Sequence, residues 1–416
     1  MTDEMSFDRF NLKPTIVAGI NAMGYTTPTP IQDQAIMPVL SGRDIMCLAQ
    51  TGTGKTAIFV LPILERLLSK PGKGVRALVI APTRELAEQT HDFFHSLGRQ
   101  TRLRSITVYG GVAINPQKDK LRAGADIVIA CPGRLLDHIG QGTIDLSDVE
   151  VLVLDEADRM LDMGFLPDIR RILRYLPKKR QTLLFSATMP DGIRQLAMDI
   201  LCDPVVVQVD HTVPLETVSH AIYPVKQHLK TRLLIELLRR TDSESVLVFT
   251  RTKHRARRIH QQLGDAGFKA ASLQGNLSQN RRKEAMDGFK NGKYQILVAT
   301  DIAARGIDVS TISHVINYDI PDTADAYTHR IGRTGRATKT GDAFTLVTPE
   351  DDAMVHTIER LLGSKLERRT LDMFDYNLPS PPRNVQSARP HQHSKGNTSY
   401  GRGRRRNMLG TRKKFH

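Results

Sequence analysis

Cysteine is scarce in this sequence: there are three in 416 residues, Cys47, Cys131 and Cys202. None stands in a C-x-x-C spacing, which argues against a disulfide framework or a zinc site and suits a reducing, cytoplasmic setting. Long hydrophobic runs are missing too; nothing approaches the ~18 apolar residues of a membrane span. The N-terminus, MTDEMSFDRF, is acidic and lacks the apolar stretch of a secretory signal. Acidic residues are absent after Asp375, while Pro379 to His416 carries ten Lys and Arg, most of the formal net charge of +15. The body of the chain is therefore close to charge balance. The final segment is rich in Pro, Arg, Ser, Gly, Asn and His and poor in large apolar residues, so alone it cannot bury enough surface to offset its ordering entropy. Its charge points to a polyanion, most simply nucleic acid. A solubilising tail is the plainer reading.

What is present is ordinary globular material, 40% hydrophobic and 25% charged, with room for two or three domains of roughly 100–200 residues. Short apolar runs alternate with helical patterns from about residue 44 to 348. The first series is Asp44–Ala49, Ala77–Ala81, Ser105–Tyr109, Asp126–Ala130, Val151–Leu154 and Thr182–Phe185, with a last strand at Val205–Val209. The second is Ser245–Thr250, Ala270–Leu273, Gln295–Ala299, His314–Asn317 and Ala343–Val347. Continuous runs such as VLVL at Val151–Leu154 suit parallel strands covered on both faces. Strand–helix alternation predicts α/β sheets. ALVIAPTRELAEQ at Ala77–Gln89 and VLVFTRTKHRARR at Val246–Arg258 share one strand–turn–helix pattern, which predicts two tandem domains. The boundaries expected are 1–208 for the first domain, 209–219 for a linker around Pro214, 220–377 for the second, and 378–416 for a disordered basic tail.

AQTGTGKT spans Ala49, Gln50, Thr51, Gly52, Thr53, Gly54, Lys55 and Thr56, between a strand and an apolar helix. That context marks a phosphate-binding loop: glycines let backbone N–H groups turn to a phosphate, Lys55 reaches the β- and γ-phosphates, and the Thr56 hydroxyl ligates Mg²⁺. Here the motif begins with Ala49 rather than Gly. VLVLDEAD places Asp155 and Glu156 at the carboxyl end of a buried strand, where open α/β sheets bind ligands. Asp155 would hold Mg²⁺, and Glu156 would orient and deprotonate an attacking water. In isolation such an acidic pair is as often a helix cap.

Asp155-Glu156-Ala157-Asp158, read with the loop before it, resembles the DEAD-box ATP-dependent RNA helicases, and motifs run in that family's order from Phe7 to about Val347. The resemblance implies two RecA-like domains flanking a cleft, with ATP and Mg²⁺ as cofactors and RNA as partner. GYTTPTPIQ (Gly24–Gln32) resembles the family's Q motif. It implies that Gln32 reads the adenine edge, Tyr25 stacks nearby and Phe7 supports it; a side-chain amide can both donate and accept there. Ser186-Ala187-Thr188 resembles the coupling motif whose hydroxyls would bond Asp158, although Thr188 could equally cap the next helix. HRIGRTGR implies that His329 contacts the DEAD segment and that Arg333 and Arg336 are arginine fingers, a task suited to a planar, permanently charged fork. TDIAARGID implies that Asp308 bonds the ribose. RNA contacts carried over from the family are Pro82, Thr83, Arg84, Gly110, Gly111, Pro132, Gly133, Arg134, Thr250, Arg251, Gln274, Gly275 and Thr300. These groups suit phosphates rather than base edges, implying little sequence choice. Cys131 departs from the family's usual Thr, and a thiol is a weak donor.

The function expected is local, largely sequence-independent unwinding or remodelling of RNA and ribonucleoproteins by an RNA-stimulated ATPase, with a monomeric core. Within the family a minimal bacterial helicase of the RhlE type fits best. Without RNA the lobes are expected to stand apart, with both fingers far from the nucleotide. The other readings are an ATP-gated RNA clamp or annealing chaperone, and a DNA helicase on the same scaffold.

Overall fold

The structure is a computed structural model, described here for residues 6–49, 53–208, 218–241, 243–304, 312–334 and 341–379. Residues up to Tyr376 form one compact unit and Asn377–His416 another. The expected tail falls almost wholly outside the described residues, as does 209–217 of the expected linker.

The first unit contains two seven-stranded sheets with every strand parallel to its neighbours. In the first lobe, β1 (Ile45–Leu48), β2 (Ala77–Ile80), β3 (Ser105–Val108), β4 (Ile127–Ala130), β5 (Val151–Leu154), β6 (Gln181–Ser186) and β7 (Val205–Gln208) lie in the order β3-β4-β2-β5-β6-β1-β7. The second lobe has β8 (Val218–Pro224), β9 (Val246–Phe249), β10 (Ala270–Leu273), β11 (Ile296–Ala299), β12 (His314–Asn317), β13 (Gly341–Val347) and β14 (Glu367–Arg368), ordered β10-β11-β9-β12-β13-β8-β14. The two orders are one pattern, the repeat that the matching strand–turn–helix segments suggested.

Side chains on successive strand positions face opposite ways, and that period sorts the first lobe's core. Val151 and Val153 pack on the layer holding Phe59 and Phe185, while Leu152 and Leu154 pack on the layer holding Met160 and Ile172. The central strands β2, β4 and β5 are therefore apolar throughout. The edge strands β3 and β10 alternate instead, with Ser105, Thr107, Ala270 and Ser272 half-buried.

Two strands differ from expectation. Val218 and Ser219, assigned to the linker, open β8, which pairs along its whole length with β13. The segment VSHAIYP has Ser219, His220 and Pro224 in a short run, so its strand character comes from a partner more than a hundred residues away. β14 is two exposed residues added beside β8 and has no apolar signal.

Candidate nucleotide site and nucleic-acid interface

Sheet order separates two sets of strand ends. The phosphate-binding loop, the DEAD segment and Ser186–Thr188 follow β1, β5 and β6. The first-lobe RNA candidates follow β2, β4 and β3, which make up the other side of the same sheet. In the second lobe Thr250–Arg251, Gln274–Gly275 and Thr300 follow β9, β10 and β11 in the same way.

Ala49 extends β1, its N–H donating to the Ser186 carbonyl at 3.0 Å. Gln50, Thr51 and Gly52 lie outside the described residues. Lys55 opens the helix Lys55–Ser69, is buried, and donates from Nζ to the Ala49 carbonyl at 2.6 Å. Gly54 has φ +91°, and a Cβ there would fall 2.4 Å from Gln32 Nε2, so glycine is required twice over. Gln32 Nε2 donates to the Gly54 carbonyl at 3.0 Å, and its Oε1 accepts from the Thr29 N–H at 2.9 Å. The Thr29 hydroxyl donates to the Thr53 carbonyl at 2.9 Å. Gln32 thus pins the phosphate-binding loop and keeps one N–H and one lone pair for a further ligand. Thr56 is half-buried on the first turn of the same helix. Tyr25 is exposed, with its ring 6.4 Å from buried Phe7 and 6.2 Å from Phe93.

Asp155 and Glu156 leave β5 into the interior, both buried, and Glu156 takes a left-handed backbone conformation at φ +53°. A bulky residue there is uncommon and suggests a constrained functional turn. Burial raises the Asp155 pKa, and the adjacent Glu156 charge adds to that. Burial also pushes Glu156 upward, but the Arg159 guanidinium, aided by Lys55 and Arg333, outweighs it and holds Glu156 below the usual carboxylate range. Arg159 is buried and ion-paired with Glu156. Sequence reasoning missed Arg159; its one signal is the three-residue spacing from Glu156 into the helix Ala157–Asp162.

Asp158 Oδ2 accepts from the Thr188 N–H at 2.9 Å, the Thr188 hydroxyl at 3.1 Å and the Ala187 N–H at 3.2 Å. The Asp158 N–H donates to the Ser186 hydroxyl at 3.2 Å. Thr188 is not a cap: the helix Asp191–Ile200 begins after Pro190. From the second lobe, burial lowers the His329 pKa while the Asp158 charge opposes the shift, so the two groups are within electrostatic reach. Arg333 is buried, donates to the His329 carbonyl at 3.3 Å and acts on Glu156. Arg336 and Asp308 lie outside the described residues. Arg330, also missed, anchors this segment: it pairs bidentately with Asp301 at 2.6 and 2.7 Å and bonds the Asp319 carbonyl at 2.7 Å.

The RNA candidates divide. A Cβ added at Gly110, Gly133 or Gly275 would meet nothing within 4 Å, leaving open surface for a ligand backbone. Gly111 is different: its φ is +78°, and a Cβ would lie 2.1 Å from the Arg84 guanidinium. Arg84 stacks over the Tyr109 ring and donates to Gln279 Oε1 at 2.9 Å. Thr83 caps the helix Arg84–Leu97, and Pro82 precedes it. Arg134 donates to the Val112 carbonyl at 3.1 Å, with Nε and Nη1 buried and lacking a hydrogen bond; Pro132 and Gly133 open its helix, Pro132–Gly140. The Cys131 thiol is pushed up to about 12, by burial and then by Glu85, so it stays protonated. Thr250 is fully buried with its hydroxyl turned to the Thr252 and Ala299 carbonyls, and Gln274 is buried with Oε1 on the Asn276 N–H. Arg251 after β9 is exposed but pairs with Asp322 at 3.2 Å and donates to the Ile320 carbonyl at 3.3 Å, and Thr300 is half-buried.

In this structure the two lobes are in contact. Arg282 donates to Glu85 and Arg84 to Gln279 from one lobe to the other, and Arg333 acts on Glu156. Glu85, Gln279 and Arg282 were not singled out in the sequence, because their roles arise only when the lobes meet.

Residues 29–196 match the DEAD/DEAH box helicase family and residues 229–338 the helicase conserved C-terminal domain. The chain is 43% identical over 363 residues to the DEAD-box ATP-dependent RNA helicase RhpA of Helicobacter pylori, covering 87% of this chain and 73% of that one. It superposes on S. cerevisiae Dbp5 bound to RNA and ADP BeF3 with a TM-score of 0.80 at 32% identity, over 88% of this chain and 95% of that one. A DEAD box protein from Methanococcus jannaschii is 38% identical, over 88% of this chain and 99% of that one, but its TM-score is 0.52. The less identical neighbour is the better superposition, so the lobes here are arranged more like the RNA-bound protein.

Proposed function

The chain belongs to the DEAD-box family of ATP-dependent RNA helicases, and from that premise we propose how its own residues divide the work. The enzyme couples ATP binding and hydrolysis to remodelling of RNA. Lys55 and the backbone after β1 hold the phosphates, Tyr25 and Gln32 hold the adenine, and Asp308 holds the ribose. The hydroxyl of Thr56 and the carboxylate of Asp155 are hard oxygen donors suited to Mg²⁺, and burial beside Glu156 makes Asp155 a carboxylate that a neighbouring cation would stabilise. When bound, the cation supplies charge neutralisation at the phosphates. Glu156, kept ionised by Arg159, orients and deprotonates water. Arg333 and Arg336 come from the second lobe to the transferring phosphoryl group. Asp158 and Thr188 with His329 tie that site to lobe closure, which grips one RNA strand along its backbone in a bent form incompatible with a regular duplex.

The observation that carries this reading is that the two lobes meet, through the Glu85–Arg282 ion pair and the Arg84–Gln279 hydrogen bond, with buried Arg333 of the second lobe within electrostatic reach of Glu156 of the first. Among the described residues no helix is long and apolar enough to cross a membrane, in keeping with action in the cytoplasm. The first domain is taken to end at 208, the second to open with β8 at Val218 and end at 377, with the basic tail as an RNA tether.

Steady-state ATPase with RNA, with DNA of the same sequence, and with neither tests this. RNA should stimulate and DNA should not, since the 2′-OH distinguishes them. Arg333→Ala should lower the RNA-stimulated rate by a factor on the order of 10³. Stimulation within a few-fold of wild type in that variant would refute the cleft assignment. Turnover unaffected by RNA would favour a passive clamp.

A further inference from the structure

A groove of about 730 Å³ runs beside the edge strand β3, from the loop before it up to Tyr109. Its walls are the helix Arg84–Leu97 and the turn after the helix Asn115–Arg122. Its exposed rim carries the cations Arg99, Arg102, Arg104 and Lys120, with His95 beside them. None of these is in an ion pair among the described residues. The carboxylate within the groove, Glu88, accepts from the Thr107 hydroxyl at 3.0 Å and is hydrogen-bonded to Tyr109. Gly124, at φ +91°, lets the Arg104 guanidinium come close; a Cβ there would lie 2.8 Å from it.

The strand adds donors of its own. The Arg104 and Val108 carbonyls accept from Ile127 and Cys131 on the β4 side. In a ladder of alternating direction this turns the backbone N–H and C=O of Ser105 and Thr107 outward. The apolar floor offers little to a protein partner, since Phe94, Ile106 and Ile127 are all buried, and protein interfaces are anchored by exposed aromatic or apolar groups. Unpaired cations beside backbone donors suit the phosphates of a nucleic-acid strand.

The groove ends at Tyr109, beside Gly110, Gly111 and the Arg84 guanidinium that stacks on Tyr109. The other lobe repeats it. A groove of about 500 Å³ beside edge strand β10, lined by Lys253, Arg257, His260 and Arg281, leads to Gln274 and Asn276 on either side of Gly275. We propose that the β3 groove is a second RNA-binding track, which takes the sugar–phosphate backbone of single-stranded RNA beyond the nucleotides held at Gly110 and Gly111. This rests on the RNA-dependent reading above and extends it: the enzyme's site size exceeds the strand ends of the two lobes.

The test is binding of the full chain and its Arg99→Ala/Arg102→Ala/Lys120→Ala variant to uridine oligomers of ~6 and ~20 nucleotides, bracketing the usual span of a single-strand site. Basal ATPase and circular dichroism confirm the variant's fold. The long strand should bind the variant about tenfold more weakly at low salt. Its slope of log affinity against log salt should flatten by about 2, near 0.7 for each of three lost phosphate contacts. The short strand should bind as to wild type. An unchanged long-strand slope, or equal losses on both lengths, would overturn the track. Photoreactive uridines placed through the long strand should crosslink to the segment from Arg99 to Tyr109. Crosslinks confined to other segments would also overturn it, as would capture of an acidic protein through the groove with RNA binding intact. A wild-type chain that bound no RNA would instead overturn the functional reading itself.

Discussion

Glu85 of the first lobe and Arg282 of the second form a largely buried ion pair, with Arg282 Nε at 2.8 Å and Nη2 at 2.7 Å from the same carboxylate oxygen. Their side chains are 19% and 14% exposed. One residue away on the first lobe, Arg84 bonds Gln279. These contacts join the start of the helix Arg84–Leu97 to the start of the helix Gln279–Lys290, so they exist only while the lobes are together.

Breaking that pair should act on closure and leave the chemistry intact. Removing one member leaves the other charge poorly solvated, which costs about 1–3 kcal/mol for a partly buried pair. Arg282→Ala or Glu85→Ala should therefore raise the RNA concentration for half-maximal ATPase roughly tenfold or more. Activity without RNA should change little. Exchanging the charges, Glu85→Arg with Arg282→Glu, should restore part of the loss. Single variants that titrate with RNA as wild type does would show that the pair does not bear on closure.

The hydrolytic centre makes a second prediction. Under the proposed mechanism Glu156→Gln removes the proton acceptor and should leave ATP and RNA binding but lose turnover by a factor on the order of 10² or more. Lys55→Ala should weaken ATP binding as well. Arg159→Ala removes the group that holds Glu156 ionised against burial. Its kcat should fall and its pH–rate profile should shift upward, because the base would need higher pH to lose its proton. A pH–rate profile unmoved by Arg159→Ala would mean that the pair only braces the helix.

The parts of this site legible in the sequence are those built within one strand–turn–helix unit. AQTGTGKT and VLVLDEAD announce themselves because a buried strand, a turn and a helix start lie within a few residues, and Asp158 with Ser186 and Thr188 follow from family order. Arg159, Arg330, Glu85 and Arg282 were not legible. Each is an ordinary charged residue on a helix whose importance comes from a partner on another element, as with Arg330 on Asp301. Thr250 and Gln274, RNA contacts implied by the family resemblance, have buried side chains in this structure. In the fold, β5 was plain from VLVL, whereas β8 takes its order from distant β13 and carries too mixed a pattern to stand out.

Acid should destabilise the first lobe through His138. This side chain is fully buried, with Nδ1 2.7 Å from the Thr143 hydroxyl and Nε2 lacking a hydrogen bond. Burial, reinforced by Arg134 and Lys118, lowers its pKa from 6.5. The folded chain therefore resists a proton that the unfolded chain accepts. Stability from this group is fully present above about pH 6.5 and is lost as pH falls through the lowered folded-state pKa, with a slope of at most ~1.4 kcal/mol per pH unit. Denaturant titrations between pH 7.5 and 5.5 should show that slope, and His138→Gln should flatten it. Equal slopes in both proteins would assign the acid sensitivity to other groups.

The basic tail should serve binding and leave catalysis alone. It carries ten Lys and Arg and no acidic residue after Asp375, a polycation expected to raise the local RNA concentration. Its contribution is electrostatic, roughly 0.7 per neutralised phosphate in the slope of log affinity against log salt. Deleting the residues after Asn377 should weaken RNA binding at low salt and flatten that slope. ATPase without RNA should survive, because Lys55, Glu156, Arg333 and Arg336 all precede the cut. At saturating RNA the shortened enzyme should reach full turnover, with its defect confined to the RNA concentration required. The rival role is structural: Leu378, Met408 and Leu409 are apolar and could complete a fold. Melting temperature and RNA-titrated ATPase of the truncation separate the two. An unchanged melting temperature with an undiminished maximal rate fits a tether, whereas a large drop in either one means that the segment is part of the folded enzyme.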